Sequence, residues 1–174
     1  EGAAFVYHGG ASGLSTSSNV IAECNNDASS MGISVASAGD VNGDGYQDII
    51  VGAPGYDNSE AAEGAAFIYH GSATGISGTA TTVLESNQVA AYFGQSVSGA
   101  GDVNGDGYSD VIIGAYLYDN NQSNEGAVYI YQGSASGIVS GSPLIIERNL
   151  ASANLGCSVS GAGDVNGDGY GDVI

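Results

Sequence analysis

The chain has 174 residues and carries 19 acidic residues against one basic residue, Arg148, for a formal net charge of −18. This balance excludes a nucleic-acid-binding protein and disfavours anionic membrane surfaces, because both are bound through Lys and Arg. Thirty Gly and the lack of a long amphipathic or apolar run argue against a helical protein and against a transmembrane helix, which needs roughly 18 apolar residues.

Short strand-like segments follow one another along the chain with a period of 62 residues. They are rich in β-branched or small residues and are separated by turn-forming stretches, a pattern that is typical of strands. In chain order, strands are predicted over 1–7, 19–23, 32–39, 48–53, 63–69, 81–85, 94–101, 110–115, 125–131, 144–147, 156–163 and 172–174. Recurrence at a fixed period indicates stacked units, each with four strands.

The nine-residue run Asp-Val-Asn-Gly-Asp-Gly-Tyr-x-Asp follows the first strand of each repeat, at 40–48, 102–110 and 164–172. Its positions 1, 3, 5 and 9 carry three carboxylates and an amide, and the carboxylates would repel one another without a counter-ion. A hard cation with about six to eight oxygen ligands relieves this repulsion, and the backbone carbonyl at position 7 is expected to add a ligand. The run predicts three Ca²⁺ sites, one in each repeat. The predicted ligands are Asp40, Asn42, Asp44, Tyr46 and Asp48; Asp102, Asn104, Asp106, Tyr108 and Asp110; and Asp164, Asn166, Asp168, Tyr170 and Asp172.

An EF-hand is the obvious competing motif, and the sequence argues against it. An EF-hand loop has a bidentate Glu at position 12, where this chain has Val51 or Ile113. The flanking segments are strand-like rather than helical, so each loop is predicted to join two strands as a metal-clasped hairpin. Magnesium is disfavoured because it prefers a tight octahedron and keeps several waters. In a competing interpretation without metal, the Asp and Asn residues serve only as turn formers.

Four antiparallel strands in each repeat predict a β-propeller blade, so the predicted fold class is all-β. Small residues in the first strands suit a crowded central axis, and the bulkier run 66–69 suits a sheet that is covered on both faces. A parallel β-helix is the alternative, although its repeats are usually shorter. The predicted domain is one segment, 1–174, with a half-blade at 1–31, blades at 32–93 and 94–155, and a half-blade at 156–174.

The half-blades leave unpaired strand edges, and two hypotheses account for them. The chain is expected to be either a piece of a larger propeller or a subunit whose half-blades complete one another head to tail. Self-association of the second kind would produce a closed ring or an open filament.

Two short motifs recur beside the loops. The first is Phe93-Gly94, with Met31-Gly32 and Leu155-Gly156 in the other copies, and the second is Gly52-Ala53-Pro54, with Gly114-Ala115-Tyr116 in the next copy. With these motifs and the metal loops, the repeats resemble the FG-GAP repeats of integrin α-subunit β-propellers and their bacterial and fungal relatives. The resemblance covers essentially the whole chain. It implies a propeller with calcium in hairpin loops on one face and a binding role in a secreted or cell-surface protein.

No residue pattern typical of an active site accompanies these motifs, so a non-enzymatic protein is predicted. His8 and His70 occupy the same repeat position, which favours a structural role for both. The primary hypothesis is an extracellular module for adhesion or protein binding. The alternatives are a structural subunit that assembles into a ring or filament, and a lectin-like module that binds glycans through Tyr56, Tyr116 and Tyr118.

Two compositional features bear on the compartment in which the protein works. A single basic residue leaves trypsin-like proteases one cleavage point, which suits a protein outside the cell. Cys24 and Cys157 occupy different repeat positions, so they belong to no repeated disulfide framework. They are expected to be buried small hydrophobic residues, or to pair if the fold brings them together.

Overall fold

The computed structural model describes all of residues 1–174, and its regular secondary structure consists of strands. The strands are β1 (Ala3–Val6), β2 (Gly9–Gly10), β3 (Gly13–Leu14), β4 (Val20–Glu23), β5 (Ser34–Gly39), β6 (Asp48–Ala53), β7 (Ala65–Tyr69), β8 (Thr82–Glu85), β9 (Phe93–Gly101), β10 (Asp110–Ala115), β11 (Ala127–Tyr131), β12 (Leu144–Glu147), β13 (Gly161–Gly163) and β14 (Asp172–Val173). The structure has no helix that is long and apolar enough to cross a membrane.

Two complete four-stranded sheets lie between two incomplete sheets. The complete sheets have the orders β5-β6-β7-β8 and β9-β10-β11-β12, and every neighbouring pair is antiparallel. The same residue pairs recur in both sheets. Ile50 pairs with Ile68 in the first sheet, and their equivalents one repeat later, Ile112 and Ile130, pair in the second. The incomplete sheets are the pairs β1-β4 and β13-β14. Repeated four-stranded antiparallel sheets are propeller blades, and the predicted all-β fold class is confirmed.

The first strands of neighbouring blades lie against one another. Val97 N–H donates to Ser34 Oγ at 3.0 Å, and the next pair of blades repeats this bond at 3.0 Å between Val159 N–H and Ser96 Oγ. A Cβ added at Gly99 would lie 2.8 Å from the carbonyl oxygen of Ser37. The small side chains of these strands therefore permit a close approach that larger residues would prevent.

The main core fills the space between the two complete blades. All five residues of β7 and all five of β11 are buried, although alternate residues of a strand point to opposite faces. Tyr129 of β11 stands edge-on to Phe93 with ring centroids 5.1 Å apart. Burial on both faces explains why the third strand of each repeat is a continuous apolar run rather than an alternating one.

The Phe-Gly motif joins one blade to the next. The Phe93 side chain is fully buried, and its backbone N–H donates to the Glu63 carbonyl oxygen at 3.1 Å. Gly94 adopts a φ of +86°, and a Cβ there would lie 2.2 Å from the Ala65 carbonyl oxygen. The aromatic ring thus fills the core while the glycine lets the backbone approach the preceding third strand.

Two local features depart from the sequence expectations. Both cysteines are free thiols, with Cys24 half-buried and Cys157 exposed, so they do not pair and Cys157 is not the buried residue expected. Cys24 Sγ donates instead to Ser29 Oγ at 3.2 Å. The hairpin formed by β2 and β3 is also absent from the predicted strands, because two-residue strands are too short to show a periodicity.

Candidate metal-binding loops

Each nine-residue loop closes on the carboxylate of its first Asp. In the first loop, Asp40 Oδ1 accepts the N–H groups of Gly43 at 2.7 Å and Asp44 at 3.1 Å, while Asp40 Oδ2 accepts that of Gly45 at 2.8 Å. The second and third loops repeat all three bonds. The loop conformation is therefore the same in every repeat, and its first carboxylate is oriented from within the loop.

The side chains at positions 3 and 5 lie side by side. Asn42 Oδ1 accepts the Asp44 N–H at 3.0 Å, and Asn42 Nδ2 donates to Asp44 Oδ2 at 3.0 Å. Asp44 Oδ1 accepts the N–H of Tyr46 at 2.9 Å. These residues do form turns, as the interpretation without metal requires. A carboxylate oxygen can accept more than one partner, however, so the bonds leave capacity for a cation.

In the first two loops the last Asp is buried and connects the loop to a distant part of its blade. Asp48 Oδ2 accepts the Val41 N–H at 2.8 Å within the loop, and Oδ1 accepts the Gly71 N–H at 2.7 Å, just beyond β7. Asp110 makes the two equivalent bonds, whereas Asp172 accepts one, from within its own loop. In the first two repeats, position 9 therefore fastens the metal loop to the segment that follows the third strand, as a structural clasp. Sequence reasoning did not find this role because the second donor lies 23 residues away.

The carboxylates of one loop affect one another electrostatically. Desolvation by burial raises the pKa of Asp110, its N–H donors oppose that effect, and the charges of Asp106 and Asp102 raise the pKa further. For Asp102, burial also acts to raise the pKa, but the N–H groups of the loop outweigh it and hold the value below the ordinary one. Repulsion among neighbouring carboxylates is the condition that a bound cation relieves.

The chemistry of the donors fits a hard divalent cation. Each loop offers carboxylate oxygens, an Asn side-chain oxygen and backbone carbonyls, and Ca²⁺ prefers all three kinds of oxygen. The structure contains no group of three or more His, Cys, Asp or Glu side chains that could by itself hold a metal ion. The geometry shown is that of a loop whose carboxylates are held by its own N–H groups.

Neighbouring loops touch through positions 7 and 8. The Tyr108 ring of the second loop lies over Gly43 of the first, where an added Cβ would be 2.8 Å from Tyr108 Cε1. Ser109 N–H donates to the Asp40 carbonyl oxygen at 3.0 Å, and Ser109 Oγ accepts the Asp40 N–H at 3.2 Å. Sequence reasoning gave the Tyr only a backbone role. Its recurrence in all three copies was the missed signal, since a carbonyl ligand does not require Tyr.

The comparison with protein families agrees with the repeat pattern. The family model described as FG-GAP repeat matches residues 31–69 and 93–131, two stretches that lie one period apart. Each stretch runs from the residue before Gly32 or Gly94, through the metal loop, to the end of the third strand. The chain carries FG-GAP repeats.

Integrin α-subunits are similar to this FG-GAP chain over most of its length. Integrin alpha-6 of Gallus gallus is 39% identical over 156 residues, which cover 84% of this chain and 13% of that protein. Integrin alpha-6 of Homo sapiens is 40% identical over 146 residues, covering 84% and 12%. Integrin alpha-4 of Xenopus laevis is 35% identical over 140 residues, covering 78% and 13%. The FG-GAP chain therefore spans 12–13% of the length of these relatives.

Both histidines of the FG-GAP chain pack against the following blade. A Cβ added at Gly137 would lie 2.8 Å from His70 Cε1, and one added at Gly75 would lie 2.4 Å from His8 Cε1. The His70 Nδ1 atom also lies 3.4 Å from the Asn42 amide nitrogen of the first loop. These contacts agree with the structural role that the shared repeat position favours.

The tyrosines considered as sugar platforms are engaged with other rings. Tyr56 stands edge-on to Phe67 with centroids 5.5 Å apart, and Tyr118 stands edge-on to Tyr129 at 6.0 Å. Tyr116 lies 5.8 Å from a further tyrosine ring. Packing inside the FG-GAP fold accounts for these contacts, and nothing in the arrangement favours a sugar site.

Proposed function

We propose that the chain is a calcium-stabilised, non-catalytic binding module of an extracellular or cell-surface protein, with protein ligands. The observation that carries the proposal is the set of three loops with the same oxygen donors at the same positions, two of which lie within the FG-GAP repeats at 31–69 and 93–131. Similarity to integrin α-subunits over 78–84% of the chain supports an adhesion or ligand-binding role. The net charge of −18 favours the uptake of divalent cations.

We also propose the domain division that the repeats predict. Residues 1–174 would form a single propeller segment. The first complete sheet, which lies within 32–93, supports this division, and the second complete sheet begins at Phe93, one residue before the second blade. The division has a half-blade at 1–31, blades at 32–93 and 94–155, and a half-blade at 156–174.

Each cation site would use the side-chain oxygens at positions 1, 3, 5 and 9 of its loop and the carbonyl oxygen of the Tyr at position 7. In the first loop these residues are Asp40, Asn42, Asp44, Asp48 and Tyr46, and the other two loops supply their equivalents. A bound Ca²⁺ would offset the repulsion among three carboxylates. Its contribution would be to hold the strand connections in one conformation rather than to take part in a reaction.

Removal of calcium should lower the melting temperature of the chain. At affinities of about 10⁻⁴–10⁻³ M, typical of extracellular modules, millimolar calcium stabilises the folded state by roughly 0.4–1.4 kcal/mol for each site. Three sites would together raise the melting temperature by about 2–17 °C for a chain of this size. Circular dichroism melts in millimolar CaCl₂, in millimolar MgCl₂ and in excess EDTA measure the effect, and calorimetric titration should give three sites.

A variant with Asp44→Ala, Asp106→Ala and Asp168→Ala provides the matched control, because it removes one carboxylate from each loop. Its melting temperature should be the same in CaCl₂ and in EDTA. An unchanged melt of the unmodified chain on chelation would refute the calcium assignment. The native mass of the calcium-loaded chain separately tests self-association, which would give particles larger than one chain.

A further inference from the structure

We propose that the cation sites of neighbouring blades are coupled, and that Tyr108 and Ser109 of the second loop are positioning residues for the site in the first loop. The inference rests on the proposed calcium function and adds to it a route by which one site affects another. It is carried by contacts between the loops, which are separate from the hydrogen bonds inside each loop.

Ser109 makes two hydrogen bonds to the backbone of Asp40, which is the first proposed ligand of the preceding loop. Its N–H donates to the Asp40 carbonyl oxygen at 3.0 Å, and its Oγ accepts the Asp40 N–H at 3.2 Å. The direction in which the Asp40 carboxylate leaves the backbone therefore depends on the position of the second loop. Groups that orient a metal ligand from outside the coordination sphere commonly change metal affinity.

Tyr108 links the two sites through a single residue. Its ring covers Gly43, where an added Cβ would be 2.8 Å from the ring, and the Gly43 N–H donates to Asp40 Oδ1 at 2.7 Å. Its carbonyl oxygen is the proposed position 7 ligand of the second loop. A cation that fixes the Tyr108 backbone would therefore also fix the ring that packs on the first loop.

The next junction offers a natural comparison. Tyr170 of the third loop covers Gly105 in the same way, with an added Cβ 2.6 Å from the ring. Gly171 stands in the place of Ser109, and its N–H donates to the Asp102 carbonyl oxygen at 2.7 Å. Glycine has no hydroxyl to accept the second bond. The second and third loops are thus joined by one bond fewer than the first and second.

These contacts predict positive cooperativity. A cation that orders the second loop also orders part of the first loop. Less conformational entropy is therefore lost when a second cation binds to the first loop. The coupling must be reciprocal, and occupied neighbouring sites should bind about fivefold more tightly than isolated ones. The factor should be larger between the first and second loops than between the second and third.

The test is a CaCl₂ titration followed by NMR through the amide signals of Gly45, Gly107 and Gly169, which report the three loops separately. Asp106→Ala removes a carboxylate from the second loop and should weaken the first-loop Kd about fivefold. Asp168→Ala is the matched control, because the third loop contacts the second and not the first. It should leave the first-loop Kd within about twofold of its original value.

A second variant guards against a loss of folding. Ser109→Gly recreates the natural junction at Gly171, removes no ligand, and should reduce the effect of Asp106→Ala on the first loop. If all three loops bind calcium but Asp106→Ala leaves the first-loop Kd unchanged, the coupling is refuted and the calcium function stands. If none of the three amide signals responds to CaCl₂, the calcium function itself is refuted.

Discussion

Replacement of Asp110 by Asn should separate the clasp role of position 9 from its proposed ligand role. The Asp110 side chain is fully buried, with Oδ2 accepting the Val103 N–H at 2.8 Å and Oδ1 accepting the Gly133 N–H at 2.9 Å. An Asn side chain keeps one acceptor oxygen for one of these N–H groups, but its NH₂ group then faces the other N–H group, which it cannot accept. One buried N–H group is then left without a partner.

The size of the effect follows from two opposing contributions. A buried N–H group without an acceptor costs about 1–3 kcal/mol. Removal of a carboxylate whose pKa is raised by desolvation returns part of that cost, because the charge no longer has to be buried. We expect a net loss of about 1–2 kcal/mol from the free energy of unfolding without calcium, which lowers the melting temperature by about 2–8 °C.

Asp172→Asn is the matched control for this variant. Asp172 occupies the same loop position but is only half-buried, and it accepts a single N–H, from Val165 at 2.8 Å. In EDTA its melting temperature should fall by no more than about 2 °C, while both variants should lose one calcium site in calorimetric titration. Equal destabilisation of the two variants in EDTA would show that the clasp contributes nothing specific.

Two further predictions concern buried carboxylates. Desolvation raises the pKa of Asp48 and Asp110 in the folded chain, so their contribution to stability is full below pH 3.8 and is lost as the pH rises through the folded-state pKa values. In EDTA the urea midpoint should therefore rise as the pH is lowered from about 7 toward 4, and the variant with Asn at both positions should show a smaller rise. Glu63→Ala should cost about 1–3 kcal/mol, because Glu63 Oε1 accepts backbone N–H groups including that of Asn58 at 2.9 Å. Glu1→Ala, at the equivalent exposed position, should change stability by less than about 0.5 kcal/mol, and thermal melts that give equal losses would contradict the prediction.

The order of the strands was predictable because the copies of the repeat can be aligned with one another, and the same segments are strand-like in each copy. Every predicted segment overlaps a strand of the structure, including the short pair β13 and β14. Strand lengths were less predictable, since β9 spans Phe93–Gly101 whereas its equivalent β13 spans only Gly161–Gly163. The difference arises because a strand extends only as far as its partner, and β14 has two residues.

The contacts that depend on a neighbouring blade could not be predicted from the repeat. Glu63 and Glu1 stand at the same repeat position, yet Glu63 is fully buried and Glu1 is exposed. Likewise, Val41 is fully buried while Val165, its equivalent in the third loop, is 72% exposed. Periodicity shows that residues are equivalent in sequence, but burial depends on what packs over each copy.

Contact with a neighbouring blade also distinguishes the one variable position of the metal loop from the constant ones. Eight of its nine residues are the same in all three copies, and position 8 alone changes, from Gln47 to Ser109 to Gly171. None of the proposed ligands lies at position 8, and in the second and third loops this residue donates its N–H to the first Asp of the preceding loop. The constant positions would therefore set the intrinsic cation affinity, while position 8 would set how strongly one site affects the next. Because the two properties depend on different residues, substitutions at position 8 can change the coupling between sites without changing any ligand.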